Sequence, residues 1–320
     1  MRKTVSLLML SFLLLFICAC GEGAEAVDGL ILATGDEAGT YSRFGELLAQ
    51  KVNSTTTTFV ATVATEGSKE NIRMLSTGEA HIAFAQYDAM LYARRGIITF
   101  REDGPNGSFS VVAALYPEAV HIVTLDPELV SVDALKGKRV SIGAVGSGVY
   151  FNAVDILGAY GLAETDIDEY NLSFSDSADA LLSGKLDAAF MVAGAPVTAV
   201  SALAEERPVY LIPLDAAHID ALTAGESVYR SAVIGSDVYG TPSDCPTVAV
   251  TAVIIADNDV SEEDIYDFVR GVYDNIPSLE SETLFANYLS RQLAASITTV
   301  PYHPGAARYY AEHGISVPTG

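Results

Sequence analysis

Cysteine is scarce in this chain, with three in 320 residues, at 18, 20 and 245. Cys18 and Cys20 fall in a leader-like segment, so Cys245 has no partner for an internal disulfide. Stability must then come from a large apolar core and not from cross-links. Basic residues are also few: 18 Lys and Arg stand against 41 Asp and Glu, a formal charge of −23. So acidic a surface excludes charge-driven binding of nucleic acid or of an anionic membrane. Signatures of catalysis are missing. The sequence has no Gly-x-Ser-x-Gly, His-Glu-x-x-His or Cys-x-x-Cys, and its five histidines, at 81, 121, 218, 303 and 313, show no metal-ligand spacing. His121 lies in a nearly apolar run and reads as a core histidine. Ser147, between Gly146 and Gly148, has no base nearby in sequence and reads as a turn serine. No catalytic residue, metal or cofactor is expected. Beyond residue 20, no run is long and apolar enough for a membrane span.

What is present begins with Arg2 and Lys3, then an uncharged, mostly apolar stretch from Val5 to Ile17. That length suits a signal h-region better than a span. Ile17-Cys18-Ala19-Cys20 is similar to a bacterial lipobox and predicts a signal peptide over 1–19, lipid attachment at Cys20 and a short tether over 20–27. A plain secretory signal cut after Ala19 is the alternative. Half of the residues are apolar, enough for two lobes.

One order of elements occurs twice. VDGLILA (27–33) reads as a strand, 34–40 as a Gly-rich loop and 41–52 as a helix; TFVATVA (58–64) is a second strand. A short helix follows, with Ser68 as its expected N-cap and Gly78 as its stop, and HIAFAQ (81–86) is a third strand. The second copy runs KRVSIGA (138–144), the loop VGSG (145–148), a helix from Val149, the strand-like NLSF (171–174), the helix ADALLSG and the strand DAAFMVA (187–193). Strands alternating with helices imply parallel pairing and two α/β lobes. AALYPEAVHIVTL (113–125) is expected to cross from one lobe to the other, and RPVYLIPL (207–214) to return. This puts lobe 1 at 28–116 and 213–320 and lobe 2 at 117–212. Ser261 to Asp264 forms a capping box, and Pro304 suits the first turn of a last helix.

Ligands of such lobes sit at the carboxyl ends of the strands. Four loops lie there: 34–40, 65–68, 145–148 and the turn after Ala193. Their glycines allow close backbone approach, Thr34, Thr40, Ser68 and Ser147 offer hydroxyls, and helix N-termini favour a carboxylate. Each lobe would carry half the contacts, so closure over a bridging ligand is the expected logic.

ATGDEAGTYSRFGELLA, ATEGSKENIRMLSTGEAHIAFAQYD, GKRVSIGAVGSGVYFNAVDIL, FSDSADALLSGKLDAAFMVAGAPVTAV and HPGAARYYAEHG, in this order, resemble the TAXI family of TRAP-transporter solute receptors. The resemblance covers nearly all of the chain beyond the leader. It implies a two-lobed type II periplasmic-binding-protein fold, α/β, with a ligand cleft between the lobes. It implies an extracytoplasmic, lipid-anchored monomer that captures a small carboxylate or amino acid, glutamate- or glutamine-like. The solute would pass to TRAP permease subunits driven by an ion gradient. Carried over by motif, the contacts would be Thr34, Thr40 and Tyr41, then Ser68, Asn71 and Gln86, then Ser147, Gly148 and Val149, with Ala193 and Gly194 on the hinge side.

The chain departs from the family pattern at Asp36, Glu37, Ala38 and Ser42 in the first loop and at Glu66 in the second. Acids facing a cleft would disfavour a dicarboxylate and favour an ammonium group. Two readings of Asp36 and Glu37 stay open: they lie near the amine of an amino-acid ligand, or they point to water at the loop tip. Two other functions remain, a ligand sensor for a membrane kinase and, against the missing catalytic groups, an enzyme on this fold.

Overall fold

The computed structural model describes residues 29–225 and 227–320; the expected signal peptide at 1–19, the tether at 20–27 and the lipid site at Cys20 lie outside them. Among the described residues, no helix is long and apolar enough to cross a membrane.

A single ten-stranded sheet runs through the described residues. Its first strands are β1 (Leu30–Ala33), β2 (Val60–Val63), β3 (Ile82–Gln86) and β4 (Phe109–Thr124). Next come β5 (Arg139–Ser141), β6 (Asp168–Tyr170) and β7 (Ala188–Ala193). β8 (Tyr210–Leu211), β9 (Arg230–Ile234) and β10 (Cys245–Asp257) complete it. The spatial order is β2-β1-β3-β10-β4-β7-β5-β6, with β8 beside β4 and β9 beside β10. The doubling expected from sequence is visible in this order. β1 pairs in parallel with β2 and β3, and β5 pairs in parallel with β6 and β7. β3 then lies antiparallel to β10, and β7 antiparallel to β4. β3 and β7 are buried along their whole length, as strands covered by helices on both faces must be.

Helices α1 (Thr40–Thr55), α2 (Ser68–Thr77) and α3 (Tyr87–Arg95) belong to the first half. They share one core with β1–β3, the early part of β4 and the C-terminal helices Glu262–Tyr273 and Pro304–Glu312. Phe44 sits at its centre, with its ring 5.5 Å from Tyr116 and 6.1 Å from Phe285. The second half carries α4 (Val149–Ala159), α5 (Phe174–Leu182) and α6 (Thr198–Glu206). Alternation along β7 splits its core in two: Phe190 and Val192 join Val140 and Ile142, while Met191 joins Val200 and Leu203 on the other face. His121 is a core histidine, with Nδ1 2.9 Å from the Ala119 carbonyl and Nε2 3.0 Å from the Tyr239 hydroxyl. Burial pulls its pKa down to about 4, so the ring is neutral.

β4 makes the expected crossing from the first half to the second. Its early residues pair with Val253–Asp257 of β10, and Ala119–Val123 pair with β7. The return differs from expectation. Residues 207–214 contribute only β8, a two-residue pairing at the edge of β4, whereas β10 runs thirteen residues and spans both halves. Cys245–Ala249 pair with β9, and Ala252–Ala256 pair with β3. The lobe boundary expected at 213 moves accordingly. Leu214, Ile219 and Tyr229 pack with Val140 and Phe190 of the second half, and the chain re-enters the first half inside β10. The strand-like NLSF is also corrected. β6 ends at Tyr170, and Ser173 caps α5 by accepting from Asp176 N at 3.0 Å while Asp176 accepts from its hydroxyl at 2.9 Å. That reciprocal cap fixes Phe174 in a helix.

Candidate functional site

The parallel strands of each half deliver their carboxyl ends to a common line where β4 and β10 cross. Along that line lies a partly open chamber. Thr40 and Tyr41 open α1, Ser68 opens α2 and Gln86 ends β3; all line it from the first half. Ser147, Gly148, Val149 and Ala193 line it from the second, with Asp36 and Glu66 near its mouth. Sequence reasoning missed Glu118, Leu172, Phe174 and Val192 in the same wall. The signal for Glu118 was present, an acid inside an otherwise apolar crossing strand next to Pro117.

Four expected residues lie elsewhere. Thr34 is buried and donates to the Val63 carbonyl at 2.9 Å. Asn71 is fully buried, donates to the carbonyls of Thr34 at 2.6 Å and Phe84 at 2.8 Å, and accepts from Thr65 Oγ1 at 2.6 Å. It ties strand ends together behind the chamber. Gly194 packs against Phe285 and Tyr116, and its carbonyl accepts from Thr40 Oγ1 at 2.9 Å. Glu37 is exposed. Ser68 also has a different local role from the one expected. Gly67 is the N-cap of α2 at φ +114°, while Ser68 Oγ accepts from Gln86 N at 3.0 Å.

The halves are closed on one another. The Gly146 carbonyl accepts from Lys69 N at 2.9 Å and Glu70 N at 3.2 Å, so a loop of the second half caps α2 of the first. Asp36 does the converse. One carboxylate oxygen accepts from Ala38 N at 2.7 Å and the other from Phe174 N at 3.0 Å, capping α5 across the cleft. Asp36 therefore matches neither sequence reading: its oxygens are engaged by backbone. Gly148 comes so close to Gln86 that a Cβ would overlap Gln86 Oε1 and lie 2.9 Å from Ser68 Oγ.

The chamber's chemistry is one-sided. No lysine, arginine or histidine lines it. Gln86 Oε1 and Ser147 Oγ are buried there without a hydrogen-bond partner among the described residues. Glu118 is buried with Oε2 accepting from Tyr41 OH at 2.6 Å, and burial first, then Asp88, hold its carboxyl well above the usual range. Glu66 is raised by partial burial and by Glu70, Asp36 and Asp176 around the mouth. Behind the chamber a second buried contact joins the halves. Asn152 Nδ2 of α4 donates to Asp88 Oδ2 of α3 at 2.7 Å, and Tyr229 OH donates to Asp155 at 2.9 Å. Asp88 Oδ1 and Asn152 Oδ1 have no partner, and burial pushes the Asp88 carboxyl up to about 7.

Residues 32–314 match the family model described as the NMT1-like family. Among solved structures, a protein from Bordetella bronchiseptica RB50 matches at 15% identity over 90% of this chain and 81% of that one, with a TM-score of 0.54. PhnD1 from Prochlorococcus marinus (MIT 9301), in complex with methylphosphonate, matches at 12% identity over 81% and 88%, with a TM-score of 0.51. The alkanesulfonate-binding protein SsuA from Xanthomonas axonopodis pv. citri, bound to MOPS, matches at 17% identity over 89% and 83%, with a TM-score of 0.49. The fold is the two-lobed α/β fold of periplasmic binding proteins.

Two outcomes follow from these contacts. Asn71→Ala leaves buried carbonyls unpaired and is expected to cost about 2–4 kcal/mol of stability in urea unfolding. An Asn71→Ala protein of unchanged stability but lost ligand binding would return Asn71 to the list of contacts. For Asp88, a folded pKa raised above the unfolded value gives stabilisation that is full below about pH 4 and lost as pH rises through about 7. This contribution to wild-type stability should therefore be lost between roughly pH 4 and 7, and Asp88→Asn should remove on the order of 4 kcal/mol of that pH dependence. Parallel melting curves for the two proteins across this range would refute the assignment.

Proposed function

The chain belongs to the NMT1-like family, and we propose that within it this protein is an extracytoplasmic solute receptor for a TRAP-type permease. It captures a small carboxylate or amino acid by closing its lobes. The observation that carries this reading is the chamber at the lobe junction, with Gln86 Oε1 and Ser147 Oγ buried in its wall and unpaired among the described residues. An unpaired buried oxygen costs about 1–3 kcal/mol, a cost that a polar ligand removes. Ser147 leads into Gly148, the N-cap of α4, whose partial positive end suits a carboxylate. Tyr41, Leu172, Phe174 and Val192 supply apolar walls around these few polar groups, as small-molecule sites generally have.

Lobe closure supplies the transport logic. Each half carries part of the wall, so a bridging ligand shifts the population toward the closed form that a permease can recognise. TRAP coupling and the lipid anchor rest on the motif resemblance. The glutamate-like end of the ligand range has the least support, because no cation lines the chamber to take a second carboxylate.

A thermal-shift screen of the mature domain against amino acids, 2-oxo acids and dicarboxylates tests the receptor reading. A ligand at 100 times its dissociation constant adds about 2.7 kcal/mol, a rise of several degrees at roughly 2–4 °C per kcal/mol. Gly148→Ala, which wedges a methyl against Gln86 and Ser68, should abolish that rise while leaving the ligand-free melting temperature near wild type. For the permease, uptake of the identified ligand into vesicles should follow a sodium gradient and need no ATP. Strict ATP dependence would overturn the TRAP assignment and leave the receptor standing.

A further inference from the structure

We propose that the ligand is a small zwitterionic amino acid with an uncharged side chain, and that Glu118 and Gln86 receive its ammonium group. This rests on the receptor reading above and adds to it the ligand's charge type and the residue that reads it.

Asp36 already has a backbone amide on each oxygen, from Ala38 and Phe174, and Glu37 is exposed, whereas an acid deeper in the wall has an oxygen to spare. Glu118 is the acid buried in the chamber wall, on β4 one residue beyond Pro117. Its Oε2 accepts from Tyr41 OH at 2.6 Å, and Oε1 takes no hydrogen bond from the described residues. Gln86 Oε1, an acceptor, is buried and unpaired in the same wall. An ammonium carries three donors and no acceptor, so it fits this pair of oxygens.

The opposite end of the ligand is negative. Ser147 Oγ, also buried and unpaired, can donate, and it stands at the start of α4, where the helix dipole favours an anion. One positive and one negative end define a zwitterion. A second carboxylate finds no counter-charge: among the described residues no cation lines the chamber, and Asp36 and Glu66 stand at its mouth.

Charge balance at Glu118 supplies a readout that a merely structural role would not move. The titratable groups facing it are Tyr41 from α1, Tyr116 from its own strand and Asp88 from α3, none of them a cation. Burial first, then Asp88, hold the Glu118 carboxyl well above its usual range, so an ammonium placed beside it favours the carboxylate and release of a proton to solvent.

The experiment is calorimetric titration of the mature protein with L-alanine, L-serine, L-glutamate, pyruvate and succinate, in two buffers of different ionisation enthalpy. L-alanine or L-serine should bind, with release of about one proton per ligand near neutral pH. Pyruvate, succinate and L-glutamate should bind at least about tenfold more weakly. Glu118→Gln keeps an acceptor for Tyr41 and the side-chain volume. It should weaken the amino acids by at least about tenfold and abolish the proton release, with the ligand-free melting temperature not lowered. If pyruvate, succinate or L-glutamate binds as well as the neutral amino acids, or if Glu118→Gln binds them like wild type, the amine subsite is wrong and the receptor stands. If none of the five binds wild type, the amine subsite falls, and the broader thermal-shift screen decides the receptor reading separately.

Discussion

β4 and β10 lie side by side, antiparallel, and each belongs to both halves of the molecule. Every other strand belongs to one half. The register between them slips at Ile254–Ile255 and at Thr251–Val253, the latter opposite Pro117, which has no N–H to give to the ladder. One of the two interruptions thus falls where the two cores meet. A pair of strands interrupted there can bend while both cores keep their packing, and loops at the carboxyl ends of the parallel strands must then converge over the bend. The position of the chamber follows from this pairing, and so does the position of Glu118, one residue past Pro117 at the foot of the cleft.

Closure is carried largely by backbone groups. The Gly146 carbonyl satisfies two amides at the start of α2, and Asp36 satisfies one at the start of α5. In the open form these amides would face water, so closing exchanges one set of hydrogen bonds for another and nets little. That is suited to a receptor. A closed state strongly stabilised without ligand would leave no differential free energy for the ligand to supply, and occupancy would not be reported. The groups left unpaired in the closed form, Gln86 Oε1 and Ser147 Oγ, are the ones whose satisfaction depends on a ligand.

Much of this was legible in the sequence because it depends on local rules. Periodicity located β1 to β3, β5, β7 and the helices between them, and the repeated order of these elements exposed the doubling. The two failures in the fold have separate physical causes. RPVYLIPL and TVAVTAVIIA are both apolar and β-branched, and only pairing partners distant in sequence decide which returns between lobes. NLSF alternates like a strand, but Ser173 and Asp176 form a reciprocal cap that decides for helix. At the site, loop residues were recovered by position, since strand ends must meet. What sequence could not supply was direction. Asn71 turns inward to carbonyls, Asp36 turns across the cleft to Phe174, and Glu118, in a strand with no loop signature, turns into the chamber.

That contrast bears on how charge in this molecule is to be interpreted. The acids that depart most from the family pattern, Asp36, Glu37 and Glu66, lie at the mouth or in solvent, where two unit charges 4 Å apart interact by about 1 kcal/mol in water. They bias which ions approach and are screened by salt. Glu118 is in a different regime. Near ε of 20 the same separation is worth about 4 kcal/mol, and each proton it holds or releases must be balanced by a neighbour. Its one hydrogen-bonding neighbour is Tyr41, a neutral donor, in a wall with no base. A buried carboxyl so placed is stable as an acid or as the partner of a cation, and among the described residues no cation lines its wall. As a carboxylate it would take its counter-charge from the solute, which makes this single residue more informative about the solute than the whole acidic rim.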